Sequence, residues 1–184
     1  MERQNDPEQF ARDLVAYYTL VASGTGMAPY PAASAALVAE NGMLLVHIGS
    51  VFGTQVTKEY VGEAFGMAGA INVAGRSVFV EIGKAVAWGT GQWWTLPALM
   101  AAGATTAGVQ TYMVGLIAIE IARNGGETPP PDKVREMIAT ARETYSEFLK
   151  KAKERDLGHV KGHIDSEEDD DSREGDGNST KGGD

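Results

Sequence analysis

The sequence predicts an all-α protein: a bundle of about five helices, glycine-rich in its central helices, followed by a disordered acidic tail. Three observations predict it. Apolar residues recur at helical spacing along most of the first 156 residues, and Gly or Pro clusters separate the runs. Strand signals are few, and the β-branched Ser77-Val78-Phe79-Val80 is flanked by helix-compatible residues. The last stretch has a different composition altogether, with Gly, Ser and acids and almost nothing apolar. A length of 184 residues fits one domain, so the division is 1–156 for the bundle and 157–184 for the tail.

Asp6-Pro7-Glu8-Gln9 has the chemistry of a helix start: a capping carboxylate, a proline at the first helical position and Gln9 at capping-box spacing. Phe10, Leu14, Val15, Tyr18 and Val21 follow at helical spacing until the Ser23-Gly24-Thr25-Gly26 stop. Pro29-Tyr30-Pro31 makes an extended corner. A second helix spans 31–51, with Gly53 as its C-cap. A third helical region runs from 57 to 88, with a break near Gly75-Arg76. Residues 89–97 form a turn rich in tryptophan, a fourth helix spans 98–123, and Asn124-Gly125-Gly126 stops it. After Pro129-Pro130-Pro131 a last helix, 132–155, puts Val134, Met137, Ile138, Ala141, Tyr145, Phe148, Leu149 and Ala152 on one face. On that face Phe148 and Leu149 are the expected anchors.

Charge is unevenly placed. The chain carries a net charge of -9, of which -7 falls in residues 163–184. Residues 85–119 carry no charge at all, and neither do 14–39. Residues 96–119 are long enough to cross a bilayer, which takes about 20 apolar residues. Threonines and Gln110 place their hydropathy between that of a buried helix and that of a lipid-facing one. No basic stripe exists, so nucleic-acid binding is not expected. Cysteine is absent, which excludes disulfides, thiolate nucleophiles and zinc-thiolate sites. The N-terminus is polar and not basic, so the expectation is a cytoplasmic protein without a secretory signal, associated with a membrane.

Seventeen of the 23 glycines lie between 24 and 126. Small residues recur four apart at Gly49 and Gly53, Gly62 and Gly66, and Ala104 and Gly108, with Gly115 seven beyond Gly108. An interior helix glycine costs about 0.5–1 kcal/mol relative to alanine, and close approach of another helix is the usual compensation. That approach is either within the chain or to a membrane or sister subunit. Trp88, Trp93 and Trp94 beside Pro97 fit an interfacial aromatic belt, or equally a loop packed over a helix end.

Other chemistries find little support. No GxxxxGK[ST] occurs, and Gly24-Thr25-Gly26 lacks the rest of a dinucleotide fingerprint. His47 reads as a satisfied core or interface histidine. His159 and His163 have metal-sharing spacing only on a helix, against which Gly158 and Gly162 speak. Glu59 and Glu63 beside Lys58 read as a solvated or pore-facing edge rather than a catalytic pair. No catalytic residue, cofactor or metal is expected.

Residues 18–123 resemble the bacterial domain-of-unknown-function family 697. The resemblance rests on Pro29-Tyr30-Pro31, the helix with Met43, Phe52-Gly53 where the family tends to have Tyr-Gly, Leu96-Pro97, and the small-residue stretch 104–115 with Thr111-Tyr112 and Gly115. That family is a hydrophobic helical domain found with Era-like GTPases or in uncharacterised membrane-associated proteins, and it brings no catalytic residues. The expected function is therefore a non-enzymatic helical protein that associates with a membrane or self-assembles into a homo-oligomer through its glycine-rich helices. The alternative implied by the resemblance is an adaptor or regulator of a separate GTPase.

Overall fold

The computed structural model describes residues 6–27, 32–57, 59–62 and 96–174. Five long helices appear: α1 (Pro7–Thr25), α2 (Ala32–Phe52), α3 (Leu96–Arg123), α4 (Pro131–Glu154) and α5 (Gly158–Glu174). A single helical turn lies at 59–62, and the described residues include no strand. The expected helix over 57–88 falls largely outside the described residues.

The helix ends follow local chemistry. The Asp6 side chain accepts from the Glu8 N–H at 3.0 Å and the Gln9 N–H at 3.3 Å, capping α1. Gly53 closes α2 with φ +64, which L side chains rarely adopt, and the Thr54 N–H returns to the Gly49 carbonyl at 2.8 Å. Gly125 and Gly126, both at positive φ, close α3, and the Gly126 N–H meets the Ile121 carbonyl at 2.9 Å.

α1 is the hub and touches α2, α3, α4 and α5. Its consecutive Leu14, Val15 and Ala16, then Tyr18, Thr19 and Ala22, are buried, so apolar side chains leave this helix in several directions. Leu44 and Ile48 of α2, Met113, Ile117 and Ile121 of α3, and Val134 and Ile138 of α4 complete the core. α4 is one-sided. Its buried Val134, Ile138, Ala141, Tyr145 and Ala152 repeat at helical spacing, while exposed pairs such as Lys151–Glu147 at 2.6 Å decorate the outside. Phe148 and Leu149, the expected anchors, are only half-buried; Phe148 stacks on Tyr112 with ring centroids 3.9 Å apart.

Beyond the expected boundary at 157 the chain continues as α5, whose Val160 and Ile164 are buried in the core. Its docking is specific. The Asp156 side chain accepts the Gly158 N–H at 3.0 Å, and Phe10 of α1 meets the His163 ring edge-on at 5.1 Å. Asp13 takes Arg155 at 2.7 Å and lies 3.4 Å from His159. Gly158 and Gly162 do not prevent the helix, because burial of two β-branched side chains outweighs glycine costs of about 1 kcal/mol each. Residues 175–184 lie outside the described residues.

α1 and α3 run antiparallel, with Gly115 against Val15 and Gly108 against Ser23. Glu8, Arg12 and Asp13 begin α1, and Glu120 and Arg123 end α3; Arg123 lies 3.8 Å from Glu8. Charges of this layer therefore collect at one end. The remainder of α1, α2 and α3 carries a single charged residue, Glu40.

Candidate functional site

The glycines singled out by spacing divide into distinct groups. Gly108 lies against the Tyr145 hydroxyl and Ser23 Oγ, leaving no room for a Cβ. A Cβ at Gly115 would sit 2.5 Å from Val15 Cγ2. Gly49 packs on the carbonyl of Thr54 in its own turn. These three contacts lie within the chain. Among the described residues an added Cβ at Gly53 or Gly62 would meet nothing within 4 Å. Ala104 is half-buried. Gly66, Trp88, Trp93 and Trp94 lie outside the described residues.

What the bundle leaves outward is one face of α2. Ala35, Val38, Ala39, Met43, Val46 and Ser50 are exposed and fall on one side of the helix, with Val38 61% and Val46 66% exposed. No charge interrupts this face. Among the described residues two helices are long and apolar enough to cross a membrane by length and composition: Ala35–Phe52 within α2 and Gly103–Arg123 within α3. Burial separates them. Of the α3 window 61% is buried, because α1, α2 and α4 all pack on that helix. Of the α2 window 28% is buried, with α1 and α3 the long helices that pack most on it among the described elements. Sequence reasoning put the weight on the α3 stretch and missed Val38, Met43 and Val46. A usable signal was present: α2 is strongly apolar and lacks the charged outer side that α4 shows.

At the C-terminal end the same face opens into a groove of about 560 Å³, lined in part by Val46, Ser50, Thr54 and Val56. It extends the apolar surface and adds hydroxyls at its rim.

The opposite side of α2 carries its polar groups into the seam with α1. Tyr18 Oη and His47 Nδ1 are 2.8 Å apart in the buried seam. Two turns away the Thr25 hydroxyl donates to Glu40 Oε1 at 2.5 Å, while Glu40 Oε2 is buried with no hydrogen-bond partner among the described residues. Burial pushes the Glu40 carboxyl above its ordinary value of 4.5, against the opposing effect of the Thr25 hydrogen bond. The folded chain thus holds this proton more tightly than the unfolded chain. The contribution of Glu40 to stability is fullest at acid pH, below the ordinary carboxylate value, and is lost as pH rises through the raised folded value. Glu40→Gln is therefore expected to be more stable than wild type near neutrality, with the difference vanishing in mild acid. Urea midpoints measured across that range check it; a difference independent of pH would contradict the burial argument.

Among the described residues no group of three His, Asp or Glu side chains is placed to hold a metal ion. His159 and His163 share a helix after all, and both rings lie against Phe10. Comparison of the chain with protein-family models, with curated proteins and with solved structures gives no match.

Proposed function

We propose that this protein is a non-enzymatic helical bundle that associates with a membrane by laying the outward face of α2 against it. The observation that carries the reading is the α2 window: long, uncharged on its outer side, and 28% buried. Soluble monomers rarely leave a contiguous apolar face of this kind without a use for it. Fully burying a Val or Met side chain contributes about 1.5–3 kcal/mol. Withdrawing the exposed parts of Val38, Met43 and Val46 from water therefore supplies a few kcal/mol. The charged face of α4 supports the orientation. α1 and α3 each contact both α2 and α4, so the apolar and charged faces belong to different sides.

Flotation of the full chain with vesicles tests this. Wild type should float, and the double variant Val38→Glu with Val46→Glu should lose at least about tenfold in partitioning, since each side chain removed is worth roughly tenfold. Both sites are exposed, so the unfolding free energy should change by no more than about 0.5 kcal/mol. A wild-type protein that stays in the soluble fraction, or a double variant that floats equally well, contradicts the reading. A multimer that forms without vesicles and dissociates in the double variant would assign the face to sister copies instead.

A further inference from the structure

We infer that the membrane this face fits is an uncharged one: the α2 face takes acyl chains and zwitterionic headgroups, and anionic lipid weakens its docking. The inference rests on the docking reading above. Proteins that recognise anionic lipid surround an apolar face with Lys and Arg, each contributing about 1 kcal/mol near the surface. Among the described residues no Lys or Arg lies on the outer side of α2. Residues 14–119 hold seven charged side chains, Glu40, Lys58, Glu59, Glu63, Arg76, Glu81 and Lys84, for a net charge of -1. The outer side of α2 holds none of them.

Several cations of the described structure are held in ion pairs away from this face. Arg12 pairs with Glu8 at 2.7 Å, Arg155 with Asp13 at 2.7 Å, and Lys133 with Glu120. The chain as a whole carries -9, so its long-range field repels an anionic surface. Transfer of apolar surface is then the only attraction this face offers, and that term is insensitive to headgroup charge.

The test is flotation of the full chain with phosphatidylcholine vesicles, and with vesicles in which phosphatidylglycerol replaces a substantial part of the phosphatidylcholine, each at low and high salt. Binding to phosphatidylcholine should change by less than about twofold with salt, because no ion pairs form on docking. Phosphatidylglycerol should lower binding several-fold at low salt, and salt should restore it by screening the repulsion. Tighter binding to the anionic vesicles, released by salt, overturns the inference while leaving α2 docking to the Val38→Glu and Val46→Glu comparison. Flotation on neither vesicle overturns the docking reading itself, and the inference with it.

Discussion

Gly115→Leu is expected to cost about 3 kcal/mol or more and to separate α1 from α3. The first atom of the new side chain already collides: a Cβ there lies 2.5 Å from Val15 Cγ2 and 2.9 Å from Cγ1. Val15 cannot step aside, because it is β-branched, 1% exposed and seated on the hub helix. Even Gly115→Ala should destabilise, although alanine brings about 1 kcal/mol of helix propensity. Overpacking costs of about 1–3 kcal/mol are typical, and a leucine adds three further carbons beyond the clash. Gly108→Ala should cost less than Gly115→Ala, since Gly108 meets the far ends of Tyr145 and Ser23, which can rotate away. Urea denaturation followed by circular dichroism gives both values. Unchanged stability in Gly115→Leu would mean that α1 and α3 do not pack as described.

The second large effect is Leu14→Ala. Leu14 is fully buried at the centre of the hub, and truncation there should cost about 2–5 kcal/mol. Leu149→Ala, at a partly buried position of α4, should cost less than half as much, because half-buried leucine leaves a pocket that water can enter. Equal losses at the two sites would contradict the burial pattern of the bundle.

Much of this architecture is legible in the residues. The start of α1 at Asp6-Pro7, the stop of α2 at Gly53 and the stop of α3 at Gly125-Gly126 follow from capping and left-handed backbone, which are local properties. The face of α4 follows from a single apolar stripe with charges opposite it. Three features are not local and were not legible. The start of α5 is hidden because Val160 and Ile164 stand between glycines and a charge-dense stretch; only their docking on α1 makes the helix worth forming. The roles of the glycines depend on what faces them, so the same four-residue spacing gives close contact at Gly108 and, among the described residues, none at Gly62. The outward face of α2 is equally hidden, since α2 and α3 are similarly apolar and differ in how many neighbours cover them.

The most direct test of the central claim is a fluorophore scan, which the absence of native cysteine makes straightforward. Single cysteines at positions 35, 38, 39, 43 and 46 of α2, and at exposed positions 143, 147 and 150 of α4, would each carry an environment-sensitive dye. With phosphatidylcholine vesicles, the emission of dyes on the α2 face should shift to the blue, strongest at 38 and 46, while those on α4 keep the spectrum they have in water. Blue shifts on α4, or none on α2, would contradict docking through the α2 face.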